Sequence, residues 1–462
     1  MPDLSKKFLI ISQVFPPDPA AVGQYFDEAA QALRAGGADV TILTANRGYD
    51  NPEERFEPFE DRDGVSVRRL PASSFGKASM PVRIFGQLSF LVQCIVRGLC
   101  MRGLTDLLIS TSPPMCGIVA VLIGWLRPSV KVHYWVMDLN PDQAVALGVF
   151  QPSHILVKAM DWLNRRILKR AHSVIALDRF MKDRLVAKLP NEPAIIEKIT
   201  VIPPWPMGQH AEAVAHADNH FRKEQGWTDK FVVMFSGNHS WVHPLGTILD
   251  AAERLADDDR FIFVFIGGGK GKAEVDERIQ RPEGGELRAE DGELRAEGEL
   301  GTNCEDSQVS PLKSPPSQVS ALKSQPSQVS ALKSQPSIIS LPYQPLEMIR
   351  YSLSAADLHL VSLGDNMSGI VHPCKVYGAL AMGRPVLALG PKESYLSDIL
   401  SEDHVGWSVA HGDVEAAVEA LKVAADLSEA TRTGMRERAR LVIEQKFSRV
   451  CLIRQFLAAL DC

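Results

Sequence analysis

Apolar residues recur along this chain with two different spacings, and together they predict a series of strands and helices. Short runs of consecutive apolar residues are typical of strands that are buried on both faces of a parallel sheet. Longer stretches with apolar residues three or four positions apart lie between them, which is the spacing of amphipathic helices. Seven strands are predicted in the first part of the chain, at residues 8–14, 38–44, 64–70, 105–110, 131–137, 173–176 and 200–204.

The alternation begins again after a proline-rich segment near residue 205. Six further strands are predicted, at residues 231–236, 261–266, 337–341, 357–362, 385–389 and 405–410. Strands that alternate with helices form parallel, doubly wound sheets. We therefore predict an α/β fold with two Rossmann-like domains that face a cleft. The predicted ranges are 1–205 for the N-terminal domain, 206–279 with 338–440 for the C-terminal domain, and 441–462 for a last helix that crosses back to the N-terminal domain.

Residues 280–337 interrupt this pattern with repeats. The sequence SQVSALKSQP occurs at 317–326 and again at 327–336, after a related copy at 307–316. Frequent Ser, Gln and Pro with isolated apolar residues cannot build a core. Loop closure costs little more as a loop lengthens, so a fold tolerates such a segment. We predict a disordered insertion, and a tether or partner site is the less favoured alternative.

Composition narrows the class of protein. Of the 462 residues 45% are apolar and 23% are charged, and the net charge is −6, so the chain lacks the basic character of a nucleic-acid-binding protein. Seven scattered cysteines without a C-x-x-C pair indicate reduced thiols. The first residues predict no signal peptide. The most apolar helix, 80–101, is interrupted by polar residues and is predicted to fall short of a membrane span. We expect a cytoplasmic protein.

Candidate chemistry is concentrated in residues 368–389. This stretch follows a predicted strand, enters a short Ala-rich helix and ends in another strand, and Gly383 suits a left-handed helix cap. Pro373 is compatible with the first helical turn, so Lys375 is predicted one turn inside the helix, beside free backbone N–H groups. Such a corner attracts a phosphate. An ordinary surface lysine on a capping turn explains the same pattern equally well.

Two loops of the N-terminal domain add candidates. Residues 15–23 form a loop of small residues that ends at Gly23, before a helix predicted from residue 24. Its backbone N–H groups could hold an anion or a sugar, although a plain tight turn is the preferred reading. Asp138 and Asp142 follow a central strand that also carries His133. Side chains at the carboxyl ends of parallel strands point into the ligand crevice, so we favour a binding role over a turn-capping role.

The order of several short motifs resembles the family-four retaining glycosyltransferases of the GT-B fold, in particular the branch that makes O-antigen and exopolysaccharide. The matching pieces are FPP at 15–17 with Gly23, STSPP at 110–114, DLNPD at 138–142, FSGN at 235–238, LPYQP at 341–345 and HPCKVYGALAMGRPV at 372–386. Each piece is short, and their order and spacing carry the resemblance, which spans nearly the whole chain outside residues 280–337.

The resemblance implies a nucleotide-sugar donor, a UDP-sugar in our reading, that binds to the C-terminal domain, and a saccharide or lipid-linked acceptor that binds to the N-terminal domain. It implies transfer with retention and with no metal or other cofactor. The implied catalytic residues are Asp138 and Lys375. The implied donor-binding residues are Gly237, Asn238, His239, His243, Tyr343, Gly369, His372, Lys375 and Tyr377. The implied acceptor-side residues are Gly23 and Asp142.

Two departures from the family pattern stand out. Many relatives carry a pair of glutamates where this chain has Ile370 and Gly378, so the sugar hydroxyls need other partners here. Many relatives also place Arg and Lys where this chain has Asn238, His239 and His243, so we expect the phosphate charge to be carried mainly by Lys375, with a histidine as a second contributor.

Two other functions remain open from the sequence. One is a nucleotide-sugar epimerase on the same fold, and the other is a non-catalytic protein that binds a nucleotide sugar. The predicted helices near residues 80–102 and 160–170 carry both basic and aromatic side chains. These helices could rest on an anionic membrane surface, but one buried and one solvated face is the slightly favoured reading.

Overall fold

The computed structural model describes residues 6–18, 20–48, 53–75, 80–206, 213–280 and 338–462. The repeats at 281–337 lie outside these residues. Within the described residues there are fourteen strands, which are β1 Lys7–Ile11, β2 Asp39–Ala45, β3 Phe59–Arg62, β4 Val65–Leu70, β5 Asp106–Ser110, β6 Lys131–Trp135, β7 Ser173–Ala176, β8 Ile199–Val201, β9 Phe231–Ser236, β10 Phe261–Ile266, β11 Ile338–Leu341, β12 Leu358–Ser362, β13 Val386–Leu389 and β14 Gly406–Val409.

Sixteen α-helices occur in the same residues. They are α1 Ala21–Ala35, α2 Met80–Cys100, α3 Gly117–Leu126, α4 Asp142–Ala146, α5 Ile155–Arg170, α6 Arg179–Ala187, α7 Ala194–Lys198, α8 His220–Glu224, α9 Gly246–Arg254, α10 Lys272–Gln280, α11 Ile349–Ser354, α12 Lys375–Ala381, α13 Tyr395–Asp403, α14 Val414–Ala425, α15 Glu429–Gln445 and α16 Arg449–Ala459.

The strands form two separate sheets, as the predicted α/β fold requires. The first has the order β3-β4-β2-β1-β5-β6-β7-β8, and only its edge strand β3 is antiparallel. The second has the order β11-β10-β9-β12-β13-β14 and is parallel throughout. The strand order reverses direction between β1 and β5 and between β9 and β12. Loops diverge at such points, and ligands of doubly wound sheets bind there.

The buried core explains why the strands read as continuous apolar runs. Phe8, Leu9, Ile10 and Ile11 of β1 are completely buried, as is expected for a central strand covered by helices on both faces. One apolar cluster continues from the first sheet through α12 and α13 to the terminal helices. Within it, the Phe456 ring of α16 lies 4.5 Å from the Trp135 ring of β6.

Five helices of the described residues were not predicted from the sequence. They are α4, α7, α8, α10 and α13, and α8 lies in the polar stretch after the proline-rich segment near residue 205. Helix α13 begins at a Ser394 cap, whose hydroxyl accepts a hydrogen bond from the N–H of Ser397. The capping serine was visible in the sequence. The helix was not predicted because α13 buries only a narrow apolar stripe, which gives a weak helical period.

Helix α2 also departs from expectation. Among the described residues, the segment Val82–Cys100 is long and apolar enough to cross a membrane on length and composition alone. The prediction that it falls short of a span was wrong on that criterion. In this fold its inner side, including Phe90 and Cys94, packs into the core of the first sheet, and much of its outer side is exposed.

Candidate functional site

Tightly packed glycines form the floor of the candidate site, at the carboxyl ends of β9 and β10. Gly237 follows β9 with a φ of 132°, and its N–H donates to the carbonyl of Ile266 at 2.9 Å. A side chain on Gly267 would lie 2.0 Å from the carbonyl oxygen of Gly237. Neither position accepts a larger residue, so backbone is left open to an approaching ligand.

Lys375 crosses this floor. It is the first residue of α12, and its Cε lies so close to Gly237 that a Cβ added there would be only 2.8 Å away. Its ammonium lies 5.1 Å from the centre of the Phe235 ring. The helix is shorter than predicted, because it begins after Pro373 and spans only seven residues. The lysine side chain, more than the helix dipole, is therefore the positive charge at this corner.

The charge of Lys375 is not neutralised. Within the described ranges its ammonium has no hydrogen bond or ion pair, although the side chain is partly buried. Burial lowers the pKa of Lys375 to about 8. An anionic ligand would supply the missing counter-charge.

Asp138 approaches the same place from the first sheet. Strand β6 ends at Trp135, two residues earlier than predicted, and Asp138 lies in the bend that follows. Its backbone N–H donates to the Thr111 hydroxyl at 3.0 Å, while its carboxylate makes no hydrogen bond to any described residue. Burial raises the pKa of Asp138 to about 6. The next residue, Leu139, bonds to the loop that precedes α12, so the bend that carries Asp138 lies against that loop.

Contacts to main-chain atoms hold the two domains together between the Asp138 bend and the loop before α12. The N–H of Leu139 donates to the carbonyl of Ile370 at 2.8 Å. Arg184 of α6 donates to the carbonyl of Ser368 at 2.7 Å. Gly369 has a φ of 71°, and a Cβ at that residue would lie 2.6 Å from the backbone of Phe180. Gly369 therefore allows the two domains to approach closely, and we do not assign it to donor binding.

His372 and Tyr377 belong to a buried chain of hydrogen bonds across the same junction. The Nδ1 atom of His372 lies 2.8 Å from the carboxylate of Asp178, and its Nε2 lies 2.7 Å from the Tyr377 hydroxyl. The His372 ring stacks on Tyr395 at 3.8 Å. These contacts occupy both ring nitrogens of His372. We assign His372 and Tyr377 a positioning role for the loop before α12, in place of direct donor contact.

The two histidines after β9 are neutral and do not help Lys375 with charge. His239 is 1% exposed, and burial together with the nearby charge of Lys272 lowers its pKa to about 4. His243 donates from Nδ1 to the carbonyl of Ser362 at 2.6 Å, and burial holds the pKa of His243 well below its usual range. The expectation of a second, histidine-borne charge is not supported.

Tyr343 and Asn238 flank the glycine floor. Tyr343 is 56% exposed, and its ring edge lies against Gly268, where an added Cβ would be 3.0 Å away. Asn238 is exposed, and its Oδ1 lies over Gly269, 2.3 Å from the position of an added Cβ. An exposed aromatic ring beside open backbone is a surface on which a nucleobase can stack.

Three residues predicted to face the crevice of the first sheet have other partners. Gly23 lies within the first turn of α1, because the helix begins at residue 21, and an added Cβ would lie 2.9 Å from the Cα of Phe15. The Asp142 carboxylate is paired with Lys188 at 2.8 Å. His133 is completely buried and bonded to Asp106 and Ser173. We therefore leave all three outside the proposed site.

Lys272 is a site residue that sequence reasoning missed. It is the first residue of α10, and its ammonium donates to the carbonyls of Gly267 and Leu341 at the ends of β10 and β11. Burial lowers the pKa of Lys272. The run of glycines at 267–269 before it was a usable signal, because a cation can neutralise the carbonyl ends of neighbouring parallel strands.

The family pair of glutamates has no equivalent in this site. Ile370 is buried, and its carbonyl is engaged by Leu139. Gly378 lies in the buried middle of α12. Any hydroxyl-binding group must come from elsewhere, and the Asp138 carboxylate is the unpaired acceptor that this geometry offers.

Comparisons with known proteins support one class of protein. Residues 20–205 match the family described as a glycosyl transferase 4-like domain. The chain is similar to a probable glycosyltransferase, WbjE, of Pseudomonas aeruginosa, with 23% identity over 455 residues that cover 98% of this chain and 97% of the relative. It is also similar to WcaI of Escherichia coli (strain K12), named as a colanic acid biosynthesis glycosyl transferase, with 23% identity over 286 residues that cover 60% of this chain and 69% of the relative.

A solved structure shows the same architecture. The structure of Anabaena Alr3699/HepE in complex with UDP and glucose has a TM-score of 0.62 and 13% identity, and 99% of each chain is covered. This likeness shows a shared fold. The chain therefore has the GT-B fold, its residues 20–205 match the glycosyl transferase 4-like domain, and these likenesses support a glycosyltransferase.

Proposed function

We propose that this glycosyltransferase moves a sugar from a UDP-sugar to a saccharide or lipid-linked acceptor, with retention at the anomeric carbon and without a metal. The observation that carries the proposal is the Lys375 ammonium, which lies over Gly237 with no counter-ion among the described residues, while the Asp138 bend meets the loop before α12. Support for the nucleotide comes from HepE, whose structure is described as a complex with UDP and glucose.

In this proposal each group has one task. The bond between the anomeric carbon and the diphosphate oxygen breaks, a bond to the acceptor hydroxyl oxygen forms, and the hydroxyl proton passes to the departing phosphate. Lys375 stabilises the charge that develops on the diphosphate, which is the electrostatic contribution that is usually largest in such catalysis. Asp138 accepts a hydrogen bond from a sugar hydroxyl, and Tyr343 stacks on the base.

We further propose that the acceptor is reached at a membrane surface, during synthesis of a cell-surface polysaccharide. Helix α3 packs against both α2 and α5, and together they expose a surface that we name the apolar face. Its exposed members are Ile84, Phe85, Leu88, Val92 and Val96 of α2, Trp125 of α3, and Ile155 and Trp162 of α5. Exposed Arg97, Lys158 and Arg166 accompany it. Apolar side chains beside cations suit an anionic lipid surface.

A donor screen tests the central proposal. The purified chain is mixed with UDP-, GDP- and ADP-sugars, and its melting temperature is followed, because a ligand that binds only the folded state raises it with concentration. We expect stabilisation by UDP-sugars and its loss in Lys375→Ala. The matched control is Lys392→Ala on the turn before α13. Equal stabilisation of wild type and Lys375→Ala would contradict the role of the lysine.

The remaining parts of the proposal have their own readouts. The anomeric configuration of the product, followed by NMR, tests retention, and unchanged turnover in EDTA tests metal independence. Isomerisation of the donor without an acceptor would identify an epimerase instead. Donor binding with no turnover for any acceptor tested would support the non-catalytic alternative.

A further inference from the structure

A second charged cavity lies on the far side of the C-terminal sheet from Lys375. Its volume is about 660 Å³, and it opens beside the amino ends of β9 and β12, the end of α12, and one face of α15. Lys375 lies at the first residue of α12, whereas Arg384 of this cavity lies just beyond the last. We name this space the rear cavity. It shares no residue with the proposed donor site.

The rear cavity carries excess positive charge. Seven of its lining side chains are arginine or lysine, and three are aspartate or glutamate. Arg222 is paired with Asp357 at 2.9 Å, and Arg436 with Glu429 at 3.2 Å. Arg260 turns to Asp258 and Asp426, which do not line the cavity.

Three arginines are left without a carboxylate partner among the described residues: Arg384, Arg432 and Arg440. Arg384 is 5% exposed, so it is buried nearly completely. One of its terminal nitrogens donates to the carbonyl of Ser354 at 2.8 Å, and its Nε has no partner. The Nε of Arg432 also has none. A buried guanidinium with an unmet donor is costly unless something else satisfies it.

Helix α15 places several arginines on the side that lines the rear cavity. Arg432, Arg436 and Arg440 are four residues apart in α15, so they form one stripe along the helix. Packing against α12 brings the stripe to the end of that helix, where a Cβ on Gly383 would lie 2.9 Å from the Nε of Arg440. Burial lowers the pKa of Arg384 to about 10, and the neighbouring arginines add to this shift while the nearby Asp357 carboxylate opposes it.

A purely structural reading does not account for this charge. The carbonyl end of a helix has the effect of about half a negative charge, and α12 is only seven residues long. One arginine would satisfy it. Further cationic side chains are collected around a hollow that is large enough for a small molecule, since ligand cavities measure roughly 300–1,000 Å³.

We propose that the rear cavity binds a small phosphorylated anion, held by Arg384, Arg432 and Arg440. Guanidinium groups present paired donors that match phosphate oxygens, and several of them together favour a multiply charged phosphate over a single carboxylate. Free pyrophosphate and a sugar phosphate share this chemistry. The inference does not depend on the nature of the donor or the acceptor.

Titration calorimetry on the full chain tests the proposal, with pyrophosphate and glucose 6-phosphate as separate probes and with ionic strength matched by NaCl. We expect at least one of them to bind, and to bind about tenfold or more weakly to Arg432→Gln/Arg440→Gln, since removing each charge-assisted hydrogen bond weakens binding several-fold. Arg438→Gln, on the other side of α15, is the matched control and should bind as wild type does. Stronger binding of glucose 6-phosphate would identify a sugar phosphate as the ligand type.

The same titration separates the rear cavity from the donor site. Lys375→Ala should keep the binding that the double arginine variant loses. Loss of binding in Lys375→Ala with retention in the arginine variant would overturn the proposal, as would the absence of binding by both probes to wild type. If circular dichroism shows that the double variant is unfolded, Arg440→Gln alone serves, because that side chain is exposed.

Discussion

Lys375 and Asp138 share one physical condition at the scale of single residues. Each is an ionisable side chain that is partly buried without a counter-ion, and burial moves the two pKa values toward neutrality, to about 8 and about 6. A structural ion pair would have moved both pKa values in the opposite directions. Asp142 differs from Asp138 in having a counter-ion, because its carboxylate lies 2.8 Å from the ammonium of Lys188.

The lowered pKa of Lys375 predicts how donor binding depends on pH. The ammonium attracts the diphosphate only while it is protonated, so UDP affinity should be constant from pH 7 to about 8 and then fall up to tenfold per pH unit. In Lys375→Arg the fall should disappear, because a guanidinium keeps its proton throughout this range. Calorimetry with UDP across pH 7–10 measures both curves. An identical pH dependence in the two proteins would contradict the assignment.

The raised pKa of Asp138 predicts that replacing this carboxylate stabilises the fold and lowers activity. Its folded pKa of about 6 exceeds its ordinary value of 3.8, so the ionised carboxylate destabilises the fold above pH 6, and this cost vanishes below pH 3.8. Asp138→Asn should therefore raise the free energy of unfolding at pH 7.5 by about 1–3 kcal/mol while it lowers kcat/KM. Urea unfolding at pH 7.5 and at pH 4 measures the difference, which should be lost at the lower pH.

Asp142→Asn is the matched comparison for that measurement. It removes one partner of the largely buried Lys188, so the free energy of unfolding should fall at pH 7.5. If Asp138→Asn were destabilising in the same way, the Asp138 carboxylate would have a structural partner and the proposed sugar contact would be wrong.

At the scale of elements, the loop before α12 depends on close backbone contact with α6. Gly369→Ala should lower the free energy of unfolding by about 2–4 kcal/mol, because it combines left-handed strain with a clash against Phe180. Gly148→Ala is the control, since Gly148 has the same φ of 71° with no atom within 4 Å of an added Cβ. It should cost only about 1 kcal/mol, the strain alone. Equal losses in urea unfolding would show that the junction is not tight.

The elements also show what sequence patterns can predict. Buried strands such as 231–236 and 261–266 were predicted with their observed bounds, because a central parallel strand is apolar at every position. The left-handed Gly383 after α12 was predicted from its place behind an Ala-rich run and has a φ of 62°. Tertiary contacts determine the other elements. Helix α12 begins only at Lys375, and α8 lies in a polar stretch where the sequence shows no helical pattern.

The candidate site was less predictable than the fold for the same reason. Lys375, Asp138 and Gly237 could be proposed because they follow strands at the carboxyl edge of a sheet, and their roles stay predictions. Sequence could not show that His372 is committed to Asp178, or Asp142 to Lys188, because those partners are 194 and 46 residues away. Lys272 was missed because a single lysine after glycines resembles an ordinary loop.

At the scale of the whole molecule, the apolar face predicts association with lipid. The chain should sediment with vesicles that contain anionic lipid and remain in solution with purely zwitterionic ones, and added salt should weaken the association. Phe85→Glu should reduce the bound fraction severalfold, because it places a charge among Leu88, Val92 and their neighbours. Val450→Glu, on the equally exposed surface of α16, is the control and should bind as wild type does. Equal loss in both variants would contradict a specific face.

The placement of α16 has a consequence for the order in which the polypeptide acquires its shape. Phe456 lies against Trp135 and against Trp205, both of which are completely buried. A ribosome delivers those two indoles long before the phenylalanine that covers them. Until translation reaches α16, the part of the chain that emerges first lacks the ring that packs on these two indoles.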